Sequence, residues 1–392
     1  MRFGVGVIGA TGYIATPYRR EIREAKEDAA IVALCARRRD PLEAAGKEDG
    51  AAFTTNDWRE VVEHPRVNFV IVATPDALHH EAVKACARHG KHLLCEKPLG
   101  VNAAQAHEMW TAYRDAGLGH FVPFWTRYVP VFARAKCLVA QGLLGEVRAV
   151  IYRWHNPRPA AMPFTWRDDA SLSAAGSIAD VGSHAYDTMR WILGAEARRV
   201  LAHAAIITPP KPDVGAVNLD DALKWGESHG LEAATCLRKG TAYDYAAITF
   251  EFASGAVGSL VLSHATYLRK GLAPELELHG TTASLAVDRI TGNLALVRPG
   301  QQPQILETVP DPGFGNRFAK HVFPAIRARA AGQRCDYPGL EDGWRVQLFT
   351  DAAAKSARRT VIWVKTPPSA VLSSAAPCRK QAQRISNSSM IR

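Results

Sequence analysis

The sequence predicts an α/β protein: an N-terminal doubly wound parallel sheet, then an α+β region built on a large, mostly antiparallel sheet. Three observations predict it. From Phe3 to Phe124, short continuous apolar runs alternate with helical patterns, as strands covered on both faces require. From Gly145 onward, strand patterns with two-residue alternation dominate, and few helices separate them. At 392 residues the chain exceeds one ordinary core, so two domains are expected. We set them at 1–125 and 126–365, with 366–392 as a disordered tail.

Taken in order, Phe3 to Ile8 is an apolar strand, followed by G-A-T-G-Y-I-A (Gly9 to Ala15) and a helical run. Strand, glycine turn and helix form the setting of a dinucleotide fingerprint, in which backbone amides and a helix N-terminus receive a pyrophosphate. Gly9, Thr11, Gly12, Tyr13 and Ile14 are the candidate residues. The spacing is G-x-x-G-x-x-A rather than G-x-G-x-x-G, and a glycine turn packing a helix on a strand would look the same. A second strand, Ile31 to Ala36, ends in Arg37 and Arg38 where an acid for a ribose 2′-hydroxyl would stand. Arginines suit a 2′-phosphate; a solvated basic turn is the alternative.

Asn68 to Thr74 is the next apolar strand, ending in T-P-D-A-L-H-H. A helix then runs to about His89. The following stretch, G-K-H-L-L-C-E-K-P-L-G, reads as a buried strand that stops at Glu96 and presents Lys97 at its carboxyl end, with Pro98 holding Lys97 extended. Ligands bind at the carboxyl ends of strands in open parallel sheets, although a surface lysine at a loop start has the same local sequence. Asn102 and Gln105 make a capping-box pattern for a helix to about Ala116, and Gly119 to Phe124 is a further strand.

In the second half, strand patterns cover 145–155, 200–207, 244–252, 257–266, 275–279 and 284–287. Thr208 to Arg238 reads as a long irregular excursion. A last helix is expected over 339–358 and a last strand over 360–364. Between them, I-A-D-V-G-S-H-A-Y-D-T-M-R-W-I-L-G (178–194) carries a core stripe at helical spacing and a second stripe of Asp180, His184, Asp187 and Trp191. Asp180 and His184 are one turn apart on one face. A solvated polar face, an acid/base pair and a metal site all fit that spacing; no further cluster of ligand spacing supports a metal.

Composition narrows the class. Apolar content of 47% and charged content of 22% are those of a globular protein. The formal charge of +10 has no basic stripe interleaved with aromatics, and Arg379, Lys380, Arg384 and Arg392 of it lie in the tail, so nucleic acid is not expected as a partner. The first residues enter a strand directly, without a secretory pattern, and no apolar run is long enough to span a membrane. Seven cysteines without a C-x-x-C pair agree with reduced thiols. A cytoplasmic protein without membrane contact is expected.

Six motifs together give a resemblance. The chain is similar, from about residue 3 to 364, to the glucose–fructose oxidoreductase / inositol dehydrogenase / rhizopine-catabolism (Gfo/Idh/MocA) oxidoreductases. Its carriers are G-A-T-G-Y-I-A, A-T-P-D-A-L-H, G-K-H-L-L-C-E-K-P, R-Y-V-P at Arg127, W-R at Trp166 and Arg167, and D-V-G-S-H-A-Y-D. The resemblance implies an N-terminal Rossmann domain and a second domain whose sheet makes homodimer or homotetramer contacts. It implies hydride transfer between NADP or NAD and a sugar, anhydrosugar, inositol or related polyol. Lys97, Asp180 and His184 match the family's catalytic residues. Thr74, Pro75 and His79 match its nicotinamide-side loop, joined by Glu96 and Lys97 on the cofactor side. Arg127, Trp166 and Arg167, with Lys97, Asp180 and His184, are the expected substrate contacts. Two departures stand out: Thr11 inserts into the glycine turn, and Trp125 replaces the asparagine common two residues before Arg127. Arg37 and Arg38 make NADP the favoured cofactor. In the chemistry so implied, His184 is the base, Asp180 orients it, and Lys97 donates to the same substrate oxygen. Two rivals share the motifs: a cofactor-assisted glycosidase or lyase, and a non-catalytic nucleotide-sensing regulator.

Overall fold

Two sheets share the chain. The computed structural model describes residues 1–359 except 174, 234 and 235, together with Val364 and Lys365. The tail 366–392 and most of the strand expected over 360–364 lie outside the described residues.

The first sheet is six-stranded and wholly parallel: β1 (Phe3–Ile8), β2 (Ala29–Cys35), β3 (Phe53–Thr55), β4 (Phe69–Val72), β5 (His92–Cys95) and β6 (His120–Phe121), in the order β3-β2-β1-β4-β5-β6. The order reverses at β1/β4, and that crevice at the strands' carboxyl ends is where such sheets bind ligands. Helices α1 (Ala15–Glu24), α2 (Arg39–Asp49), α3 (Trp58–Glu63), α4 (His79–Arg88) and α5 (Ala103–Ala116) connect the strands. The expected cap on α5 is present: Gln105 N donates to Asn102 Oδ1 at 2.9 Å. After β6 comes α6 (Pro130–Ala140).

The second sheet has nine strands. They are β7 (Val147–His155), β8 (Ala197–Ala205), β11 (Tyr245–Phe252), β12 (Val257–Ser263), β13 (Leu276–Gly280), β14 (Ser284–Val287), β15 (Asn293–Val297), β16 (Gln304–Thr308) and β17 (Val364–Lys365), with the two-residue pair β9 (Lys211–Pro212) and β10 (Leu237–Arg238) forming a separate ladder. All neighbours are antiparallel except β7 and β12. One face of the sheet, with Val150, Tyr152, Leu260, Leu262, Ile248 and Phe250, is buried under α6, α7 (Ser177–Leu193) and α10 (Leu340–Arg358). The alternate residues, such as Ile151, Val257, Val261 and Leu201, are partly or largely exposed on the other face.

Three features differ from the sequence reading. The segment 208–238 is not simply irregular: it holds α8 (Leu219–Ser228), capped by Asn218, whose Oδ1 accepts from Asp221 N at 2.9 Å. Strands β15 and β16 were not expected. Finally, the chain returns to the first sheet after β16. A π-turn (Phe318–Val322) and α9 (Phe323–Ala330) pack on β1 and β4, with Phe323 stacked on Phe3 at a ring distance of 4.8 Å.

Candidate active site

The glycine turn forms a cradle. Gly9 has φ +87°, and a Cβ there would meet the Ala73 carbonyl oxygen at 2.5 Å, so only glycine fits where the turn crosses β4's end. Gly12 N donates to Gly9 O at 2.9 Å. Helix α1 starts at Ala15 with no side-chain cap from Ile14, so the positive end of its dipole faces the turn. Thr11 and Ile14 are partly exposed and Tyr13 is exposed beside them. Across the turn, Thr74 Oγ1 is buried without a partner. These residues fit a dinucleotide pyrophosphate and the ring beyond it. Arg37 and Arg38 are both exposed at the end of β2.

His79 differs from the expected cofactor contact. It is buried beneath the loop, with Nε2 2.8 Å from Thr74 O and Nδ1 3.1 and 3.2 Å from Pro98 O and Leu99 O. It ties the Thr74–Pro75 loop to the segment after Lys97 and presents no ring edge to a ligand. Glu96 is likewise buried behind Lys97. Its Oε1 accepts from Tyr18 Oη at 2.6 Å and its Oε2 from Lys97 N at 3.2 Å, and burial holds its carboxyl above the usual range. Trp125 extends that chain, its Nε1 donating to Tyr18 Oη at 2.9 Å.

Lys97 leaves the end of β5 and reaches α7. Its Nζ donates to Asp180 Oδ1 at 2.7 Å and to Asp180 O at 3.1 Å. This contact joins the two domains. Around the other oxygen, Asp180 Oδ2, stand His264 Nε2 at 3.3 Å, Arg167 Nε at 3.4 Å and Arg158 Nη2 at 3.8 Å. Burial alone would raise the Asp180 carboxyl, but Lys97, then Arg167, His264 and Arg158, hold it well below the usual range. Trp166 carries the Arg167 guanidinium over its ring at 4.4 Å.

His184 lies one turn further along α7, stacked on Trp154 at 5.6 Å and edge-on to Phe124 at 6.1 Å. Its Nδ1 is buried and unpartnered. Burial, then the charge of Lys97, pushes its pKa well down, so the ring is neutral. Asp180 therefore does not orient His184 through a hydrogen bond, contrary to the sequence reading; the aromatic walls orient it, and Asp180 serves Lys97. Beyond Trp154 a cavity of about 530 Å³ opens, lined by Arg153, Lys270, Glu275, Arg289 and Ile290 among others.

Arg127, expected at the substrate, lies in a buried ion-pair network. Its guanidinium is buried and bonds Asp187 twice, at 2.6 and 2.7 Å, and Asp342 at 2.8 Å. Arg190 donates to Asp342 at 2.9 Å and pairs with Glu196. This network fastens α7 to α10 and commits Arg127 Nε and Nη2 to carboxylates.

Residues 3–124 match the family model described as an oxidoreductase family with an NAD-binding Rossmann fold, and 132–286 match the GFO/IDH/MocA C-terminal domain. The chain belongs to the Gfo/Idh/MocA oxidoreductases. Levoglucosan dehydrogenase of Pseudarthrobacter phenanthrenivorans is 28% identical over 377 residues, covering 90% of each chain. Myo-inositol 2-dehydrogenase of Thermotoga maritima is 26% identical over 286 residues, 73% of this chain and 75% of that one. A structure of levoglucosan dehydrogenase in complex with NADH and levoglucosan shares the fold, with a TM-score of 0.75 at 24% identity over 94% of this chain and all of the other.

Within this Gfo/Idh/MocA chain, four site residues escaped the sequence reading. Arg158 sits in N-P-R-P, His264 follows the end of β12, Trp154 is in β7, and Asp76 follows Pro75. The last is a buried carboxyl with an unpartnered Oδ1, pushed up to about 7 by burial, with the Asp180 charge acting the same way. Strand-end positions were the available signal. Among the described residues no group of three His, Cys, Asp or Glu side chains is placed to hold a metal, and no helix there is long and apolar enough to cross a membrane.

Proposed function

We propose that this oxidoreductase is a nicotinamide-dependent dehydrogenase that oxidises a CH–OH carbon of a sugar, anhydrosugar, inositol or related polyol. The Lys97–Asp180 contact carries the reading, because it sets an ammonium at the mouth of the nucleotide crevice and against the second domain at once. The names of the relatives, levoglucosan dehydrogenase and myo-inositol 2-dehydrogenase, support the substrate class.

A bound nicotinamide would supply the hydride acceptor. This chain's residues do the rest. Lys97 Nζ holds the alcohol oxygen, with Asp180 fixing its direction and balancing its charge. His184, neutral at physiological pH, is the base that takes the hydroxyl proton. Trp154 and Phe124 exclude water from that ring. For the cofactor, Gly9, Gly12 and the first turn of α1 take the pyrophosphate and Thr74 and Pro75 the nicotinamide side. Arg37 and Arg38, with no acid at the end of β2, favour NADP over NAD. Six cysteines without disulfides among the described residues agree with a cytoplasmic setting.

The test is a panel of sugars, anhydrosugars and inositols, each run with NADP and with NAD and read by the absorbance of reduced nicotinamide. At least one polyol should give stable reduced cofactor, faster with NADP by roughly 10- to 100-fold if one charge-assisted bond reaches the 2′-phosphate. Absence of reduced nicotinamide with every polyol from a folded enzyme would overturn the dehydrogenase reading; equal rates with NAD would leave the arginines to the solvent.

A further inference from the structure

The donors around Asp180 outnumber what one carboxylate can satisfy. Lys97 takes Oδ1, while Arg158, Arg167 and His264 converge on Oδ2 at 3.8, 3.4 and 3.3 Å, none of them in hydrogen-bonding geometry. Arg158 is only 6% exposed, and among the described residues its guanidinium makes no hydrogen bond. Arg167 Nε and His264 Nε2 are buried and unpartnered. Of the other acids nearby, Asp76 is pushed up to about 7 by burial, and Asp168 and Asp244 are already engaged. Asp168 holds Lys211 at 2.6 Å and accepts from Thr165. Asp244 accepts from the amides of Ile207 and Thr208 at 2.8 and 2.9 Å. Lys97, Arg158 and Arg167 thus share the one carboxylate of Asp180 in a largely buried site, a state that a buried cation tolerates poorly.

We propose that the substrate carries an oxyanion, and that Arg158 and Arg167 with His264 form its subsite beside the reacting carbon. The substrate class is then an acidic sugar or polyol, a sugar acid or a sugar phosphate, rather than a neutral one. This rests on the dehydrogenase reading above and narrows it. Paired guanidiniums in a fixed fork suit a planar carboxylate or a phosphate face. The position fits the chemistry, since both arginines approach the same aspartate that holds Lys97, within one sugar's width of the ammonium. Burial lowers the Arg158 pKa, with Arg167 repulsion next, the direction expected of a cation that lacks its counter-ion. Burial also pushes His264 down to about 3, so it enters the subsite as a neutral donor rather than a fourth charge.

The test compares glucuronate and galacturonate, glucose 6-phosphate, and the uncharged parents glucose and galactose as substrates of the full chain, with Arg158→Met and Arg167→Gln as variants. The wild type should favour an acidic compound over its parent by roughly 10- to 100-fold in kcat/KM. Whether uronate or phosphate leads identifies the oxyanion. Each variant should cut that ratio about tenfold, chiefly through KM, and Arg167→Gln, on the less buried residue, reports even if Arg158→Met fails to fold. Turnover of neutral sugars with no acid preference, or a ratio unchanged in the variants, would overturn the oxyanion subsite while leaving the dehydrogenase intact. Turnover of no polyol, acidic or neutral, would remove both.

Discussion

Three buried histidines, His79, His120 and His264, and the partly buried His184 are held neutral, each pushed down first by desolvation. His120 is the one that touches no candidate ligand group, and its Nδ1 accepts from Leu340 N at 3.1 Å. Its pKa falls to about 3. Unfolded, it would take a proton near 6.5. Because the folded pKa is the lower one, its contribution is complete above the unfolded value and is lost as pH drops towards 3. His120→Asn, whose side-chain oxygen can accept the same amide, should therefore flatten the pH dependence of stability, by about 2 kcal/mol between pH 7 and pH 5. Urea unfolding at the two pH values reads this; an unchanged slope would show that His120 titrates freely. The residue scale also marks the reach of the sequence. E-K-P and D-x-x-x-H were legible as Lys97, Asp180 and His184. Which partner Asp180 chooses was not, because helical spacing sets a face and leaves the rotamer to residues that arrive from other strands, such as His264 and Arg158.

At the scale of elements, α7 does two jobs on two stretches of one stripe. Its first turns serve the site through Asp180 and His184, and its later turns are anchored through Asp187 and Arg190 to Arg127 and Asp342. Burial alone would raise the Asp342 carboxyl, but Arg127 and Arg190 hold it far below the usual range. Removing one partner of such a network leaves a buried charge uncompensated, at a cost of about 3–5 kcal/mol. Arg127→Met should lower Tm accordingly while KM for a good polyol changes little; a raised KM at unchanged Tm would return Arg127 to the substrate. The amphipathic pattern of α7 was visible in the sequence, as were most strands of both sheets. Strand β16 was not, since Gln304–Thr308 is an exposed edge with no buried alternation. Nor was α9, whose docking on β1 through Phe323 and Phe3 is a contact across the whole chain that no local pattern encodes.

At the scale of the whole molecule, the described residues leave the outer face of the nine-stranded sheet uncovered. Ile151, Val261 and Leu201 lie there, with Val257 about half exposed at 49%. We expect a second copy to cover it, so light scattering at micromolar concentration should give a dimer or tetramer, and Ile151→Asp should shift it towards monomer. A monomeric wild type would contradict that expectation. The two sheets join where Lys97 from β5 meets Asp180 from α7. The role of that lysine is tested most directly by the kcat of Lys97→Met on a competent polyol, measured alongside the affinity for reduced nicotinamide. If Lys97 holds the reacting oxygen, kcat falls by roughly 10²–10⁴ while nicotinamide binding, made chiefly by the glycine turn and α1, stays close to wild type. A Lys97→Met enzyme that keeps near-native kcat would make the lysine a structural strand end and contradict the account.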